Sequence, residues 1–216
     1  MSAGRRKLKR RTFLRDAAIT TAVAGAAIEW STSLLGRLFA PKPAAAATGL
    51  PIRPPGALDE EEFLSRCIRC QRCGDACPNQ AIAPLDDEFG PQRRTTPHIK
   101  PREQACMLCN GVEGEYLKCT EVCPSGALQR TRKEPEEIQR TVHMGVAVVD
   151  TALCYSYNEW SCGACYRACP FPDRAMKIGL WEQPQIDPDA CVGCGLCERA
   201  CIRYPHAIHV QPRTMA

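Results

Sequence analysis

Sixteen cysteines all lie between Cys67 and Cys201 of a 216-residue chain, and their spacing sorts them into four sets. The first is Cys67-x2-Cys70-x2-Cys73-x3-Cys77-Pro78, and the second is Cys106-x2-Cys109-x9-Cys119-x3-Cys123-Pro124. The third is Cys154-x7-Cys162-x2-Cys165-x3-Cys169-Pro170, and the fourth is Cys191-x2-Cys194-x2-Cys197-x3-Cys201 with Ile202 in place of proline. Four sets of four account for every cysteine. Three thiolates within the seven residues from Cys67 to Cys73 can wrap three iron corners of one cube, with backbone amides directed at the sulfurs.

Other uses of so many thiols fit less well. Tetrahedral zinc takes two CxxC knuckles and leaves the third close thiolate of a C-x2-C-x2-C run unused. Disulfides between adjacent CxxC steps would close strained small rings. No CxxC is followed by histidine, which excludes attached c-type haem, and none sits in a strand-to-helix thioredoxin context. The first set reproduces the bacterial ferredoxin spacing, in which the fourth cysteine ligates a neighbouring cluster. The sequence therefore predicts four [4Fe-4S] clusters, with all sixteen cysteines as cofactor and iron ligands. No catalytic residue is expected: no nucleophile, Gly-rich phosphate loop or paired-carboxylate site stands out.

The elements that must hold these sets are short. Each set ends in a helical stretch, followed by an apolar segment at Ala81-Ile82, Ala127-Leu128, Ala175-Met176-Lys177-Ile178 and Ala207-Ile208-His209-Val210. Further apolar stretches precede the later sets at Val146-Ala147-Val148-Val149 and Gln185-Ile186-Asp187. They read as short paired strands in an α+β fold of ferredoxin-like modules. Small domains bury too little surface to stabilise themselves, so inorganic cross-links would supply much of the folding free energy.

Charge is divided unevenly. Residues 1–47 carry nine basic and two acidic side chains; residues 48–216 carry nineteen and twenty-two, a net of −3. Nucleic acid is thereby excluded as an expected partner. Lys9-Arg10-Arg11-Thr12-Phe13-Leu14-Arg15, the apolar run Ala17 to Ile28 and Ala45-Ala46-Ala47 read as a twin-arginine signal with its cleavage region. Export through the Tat translocase in the folded state, clusters inserted, would keep sixteen thiols from scrambling in an oxidising compartment. The expected location is periplasmic, and an uncleaved leader would make the protein membrane-associated.

His98, His143, His206 and His209 share no spacing with the cysteines and read as structural or surface residues. Tyr155, Tyr157, Trp160 and Tyr166 cluster around the third set, where they would shield a cluster or dock a redox partner. Glu134-Pro135-Glu136-Glu137 reads as a linker or helix start.

The twin-arginine leader, Arg53-Pro54-Pro55-Gly56-Ala57 and Cys154-x7-Cys162 together resemble one family, the ferredoxin-type proteins of periplasmic nitrate reduction and methylamine utilisation. The resemblance runs from about Arg53 to Pro212 and includes Cys123-Pro124-Ser125-Gly126-Ala127-Leu128, Met144-Gly145-Val146-Ala147-Val148 and the proline-free end of the fourth set. The x9 gap is longer than that family usually shows. The resemblance implies an electron carrier, not an enzyme, relaying electrons between a membrane quinol-oxidising protein and a periplasmic redox enzyme. An iron-sulfur subunit of a molybdenum-type oxidoreductase and a maturation factor are the alternatives. Related four-cluster subunits imply a nested pairing, set one with four and set two with three. On that expectation Cys67, Cys70 and Cys73 take Cys201, while Cys191, Cys194 and Cys197 take Cys77. Cys106, Cys109 and Cys119 then take Cys169, and Cys154, Cys162 and Cys165 take Cys123. The expected domains are a signal over 1–47, a linker over 48–62, an outer module from 63–100 with 180–212, and an inner module over 101–179.

Overall fold

A computed structural model describes residues 49–213, so the twin-arginine leader expected over 1–47 lies outside the described residues. The chain enters through a stretch that is packed, not a linker: Pro51 to Gly56 are all buried. Arg53, 7% exposed, explains why. Its guanidinium donates to both Glu60 carboxylate oxygens at 2.8 and 2.7 Å, to Thr96 Oγ1 and to the Pro97 carbonyl, and it lies 4.6 Å over the Phe63 ring. Arg93 adds a second ion pair to Glu60 at 2.7 Å. A buried charge is tolerated only when so fully partnered.

Helix α1 (Glu60–Arg66) follows, capped by Asp59, which accepts the Glu62 amide at 2.9 Å. Glu60, Glu61 and Glu62 face the positive end of its dipole, and Phe63 is its buried contact. Four shorter helices then repeat one task. α2 (Arg72–Asp75), α3 (Lys118–Glu121), α5 (Ala164–Ala168) and α6 (Leu196–Ala200) each carry the third cysteine of a set, and the fourth cysteine comes just past the helix end. The residue before α2, α5 and α6 is left-handed (Gln71, Gly163, Gly195), which folds the preceding cysteine loop back over the helix start. In the second set the x9 insertion removes that turn, and Leu108 and Cys109 take positive φ instead.

Three two-stranded antiparallel ladders close the fold. β1 (Ala83–Pro84) pairs with β2 (Pro97–His98), β3 (Gly145–Val149) with β6 (Ile208–Pro212), and β4 (Met176–Ile178) with β5 (Pro184–Ile186). The remaining helix, α4 (Pro135–Thr141), starts at the predicted Glu134-Pro135 signal. The strands expected at 146–149, 176–178 and 208–210 are present; after the first set pairing shifts to Ala83, with Ala81 and Ile82 buried. Leu128 makes only a single bridge, to Ala57.

These ladders overturn the nested arrangement. The segment before set one bridges the segment after set two (Ala57 with Leu128), and β3 before set three pairs along five residues with β6 after set four. Each half of the chain therefore closes on itself. One module spans roughly the first two sets and the other the last two, joined through α4. These long-range pairings bring the first two sets together and the last two together, and the outer and inner modules drawn from the resemblance do not form.

The modules meet closely. The Cys106 amide donates to the Cys194 carbonyl at 2.9 Å, Arg102 donates to the carbonyls of Glu198, Arg199 and Cys201, and Arg199 donates to Glu103. A Cβ on Gly195 would stand 2.4 Å from Pro101 Cβ, so only glycine allows this approach. One apolar core runs through both modules, with cysteines among its members.

Candidate metal centres

Four hollows open inside this core, and four cysteines line each. Hollow A is lined by Cys67, Cys70, Cys73 and Cys123; hollow B by Cys77, Cys106, Cys109 and Cys119. Hollow C is lined by Cys169, Cys191, Cys194 and Cys197; hollow D by Cys154, Cys162, Cys165 and Cys201. The free space in and before them is nearly equal, 330, 320, 350 and 370 Å³ for A, B, C and D with the open mouth included. The expected exchange of fourth cysteines is present, and the expected partners are wrong. Cys123 joins the first set and Cys77 the second, Cys201 joins the third and Cys169 the fourth.

Most of the remaining wall is apolar: Phe63, Pro97 and Leu128 at A, Ile82, Leu108 and Leu117 at B, Phe171, Val192 and Val210 at C, Val149, Pro184 and Ile208 at D; Arg69, Gln71 and Ser125 also line A, and Ser156 and Arg203 line D. All sixteen cysteines are free thiols. Burial pushes Cys73 and Cys165 up to about 11 and Cys194 up to about 12, and it raises Cys106, Cys119 and Cys197 strongly as well. Such thiols hold their protons unless a metal displaces them, so a cluster assembling here would release protons. Cys123 departs from this. Burial raises it, but the Leu128 amide, the Ser125 hydroxyl and other backbone amides outweigh burial and hold it below its ordinary value. Amides also reach sulfur at Cys77 (Ala81 N, 3.3 Å) and Cys109 (Lys118 N, 3.4 Å).

Among the described residues, no three His, Cys, Asp or Glu side chains stand close enough together to hold one metal ion. Four thiols around an apolar hollow, wider than a single ion and supplied with amide donors to sulfur, fit a polynuclear iron-sulfur cluster.

The hollows form a series. Cys73 of A lies within charge range of Cys119 of B, Cys106 of B of Cys194 of C, and Cys197 of C of Cys165 of D. The inner hollows are the better shielded: Cys109, Cys119, Cys194 and Cys197 are all buried, and at D no cysteine is.

None of the four histidines lines a cysteine hollow. His98 is buried with Nδ1 against the Ala83 carbonyl, and His206 stacks on His209. Of the aromatic cluster, Tyr155 lines hollow D, Tyr157 donates to the Pro184 carbonyl and Tyr166 to Asp173, while Trp160 is 73% exposed. The Arg53-Glu60 lock, Gly195 at the module joint, and Ile202 over hollow D were not legible as supporting residues. The missing proline after Cys201 was the one signal for the last of these.

Family models agree with the cysteine sets. A 4Fe-4S dicluster domain matches residues 66–127, and 4Fe-4S binding domains match 153–172 and 183–208. The ferredoxin-type protein NapG of Escherichia coli (strain K12) is 36% identical over 218 residues, covering 96% of this chain and 87% of its own. The methylamine utilization ferredoxin-type protein MauM of Paracoccus denitrificans (strain Pd 1222) is 36% identical over 222 residues, covering 98% and 91%. The ferredoxin-type protein NapF of E. coli is 27% identical over 153 residues, covering 69% and 79%. With cysteine hollows built for iron-sulfur clusters and relatives of this likeness over nearly its whole length, the chain belongs to the ferredoxin-type NapG/MauM family of 4Fe-4S proteins.

Proposed function

We propose that the chain holds four [4Fe-4S] clusters on its sixteen cysteines and relays single electrons along them, catalysing no reaction of its own. The observation that carries this reading is the unbroken series of hollows, with the Cys106 amide bonded to the Cys194 carbonyl at 2.9 Å where the modules meet. When bound, the clusters supply one-electron chemistry. The chain's part is to fix them in sequence, exclude water with apolar walls and direct amides at sulfur, which sets how readily each takes an electron. In this reading the protein is exported folded by the twin-arginine route. It then works in the periplasm between a membrane quinol-oxidising partner and a periplasmic oxidoreductase.

Anaerobic purification with iron and sulfide analysis and electron paramagnetic resonance tests the reading. About sixteen irons per chain, with interacting cluster signals after reduction, are expected for four cubes; zinc without labile sulfide would overturn it.

One observation favours a second reading, that of a resident iron-sulfur subunit of a molybdenum-type oxidoreductase. Ile202 in the wall of hollow D is 70% exposed, and Trp160, Leu180 and Tyr204, close by in the chain, are 73%, 75% and 82% exposed, apolar side chains of the kind a lasting subunit contact covers. Stable co-purification with a large catalytic chain would decide for it.

A further inference from the structure

Of the sixteen cysteines only Cys70 is exposed, at the mouth of hollow A. The loop carrying it holds Arg69 and Gln71 at positive φ (58° and 60°), and Ile68 on the same loop is 64% exposed. Arg69 donates to the carbonyls of Gln92 and Arg94 at 2.9 and 3.2 Å, and Gln71 donates to Thr95. A second loop is thereby held alongside, with the Arg94 carbonyl against Arg69 and the Arg94 side chain on the same loop paired with Asp87. Arg72 follows at the start of α2, and Arg66 approaches Gly126 from the other flank. All four of these arginines, Arg66, Arg69, Arg72 and Arg94, are exposed. Glu62 pairs with Arg66 and Asp87 with Arg94, whereas Arg69 and Arg72 have no carboxylate partner among the described residues. This cationic collar stands on a body of net charge −3 over residues 48–216, which bound clusters would make more negative.

We propose that the arginine collar at hollow A docks a one-electron carrier protein whose own redox centre is rimmed by Asp and Glu carboxylates. Guanidinium forks match carboxylates in shape and charge. An acidic rim is repelled by the rest of the body and attracted here, so the collar orients the partner over the most exposed ligand. One electron leaves the partner's reduced centre and is accepted at hollow A; no bond or proton moves. The proposal rests on the relay reading.

The test reads rates by stopped flow at several salt concentrations. Reduction of the oxidised full protein uses a reduced acidic flavodoxin as the protein probe. Reoxidation uses anionic ferricyanide and cationic cobalt(III) tris-phenanthroline as small probes. The variants are R69E/R72E and R72E alone, since Arg72 makes no hydrogen bond that folding needs, with R140E on α4 as a distant charge control. Expected for both collar variants is a slower flavodoxin reaction, by about tenfold at low salt and fading as salt rises. The ferricyanide-to-cobalt rate ratio should fall with it, and R140E should change neither. The proposal is overturned if the collar variants match R140E. It is also overturned if they move only the reduction potential of the exposed cluster, because arginines that merely offset cluster charge would do that without discriminating between probes. Iron near sixteen per chain in every variant separates this failure from that of the relay reading, which a shortfall in the unaltered protein would overturn first.

Discussion

Hollows A and D are the two ends of one series, and their surfaces differ in balance, arginine being the more frequent around A and aromatic and aliphatic side chains around D. At A, Arg69 lines the wall beside exposed Ile68 and the single exposed cysteine, with Arg66 and Arg72 close by in the chain; at D, Tyr155 and Ile202 stand in the wall with Arg203, and Trp160, Leu180 and Tyr204 are close by in the chain. Charged rims speed and orient transient encounters, and apolar rims stabilise lasting ones. On the proposed relay, two ends with different chemistry would let one chain hold one partner while exchanging another. The hollows between them are the more enclosed, each with two buried cysteines, Cys109 and Cys119 at B and Cys194 and Cys197 at C.

The largest way to break the comparison is to cut the series between its ends. Cys197→Ala removes a buried cysteine of hollow C, a ligand on the proposed four-cluster reading. About four of sixteen irons should be lost and electrons entering at A should no longer reach D, read by iron analysis and by spectroscopy of the remaining clusters. Cys70→Ser, at the exposed rim, should alter one cluster signal and leave the other three.

Next is the lock that builds end A. Glu60→Gln leaves Arg53 buried without its carboxylate, and a loss of about 3–5 kcal/mol is expected in denaturant unfolding. Burial raises Glu60, but its hydrogen bonds and charge contacts with Arg53 and then Arg93 outweigh this and hold it below 4.5. The stability that Glu60 contributes is therefore full above its ordinary value and lost as pH falls through the lower folded one. Glu60→Gln should flatten that acid limb, read by unfolding measured between neutral and acidic pH.

Gly195→Ala strikes the joint instead. Its Cβ would meet Pro101 at 2.4 Å, and φ at this position is +82°, so about 1–3 kcal/mol of destabilisation is expected together with weaker coupling between the signals of B and C. The smallest effect on the fold belongs to end D. Trp160→Ser with Tyr204→Ser should change stability by no more than about 0.5 kcal/mol each while reducing capture of a subunit partner, read by co-purification.

How much of this was legible can be traced residue by residue. Cysteine spacing identified every set, because three close thiolates and a fourth past a short helix are a local pattern that α2, α3, α5 and α6 reproduce. The strands at 145–149 and 208–212 could likewise be located from their β-branched residues. The buried role of Arg53 was not readable, since its partners Glu60, Arg93 and Thr96 lie up to 43 residues away. Nor did the alanine- and proline-rich entry announce that it packs.

Sequence alone determined that the chain carries four cysteine sets and that the body is acidic, and likeness to two-cluster ferredoxins gave the expectation that each set lends its fourth member to another. Only the tertiary structure decided which sets trade. Each exchange depends on β3 meeting β6 and Ala57 meeting Leu128, pairings 59 to 71 residues apart in sequence along strands of five residues or fewer. Register at that range is a property of the closed fold, and so is the placing of the arginine collar at one end and the apolar face at the other.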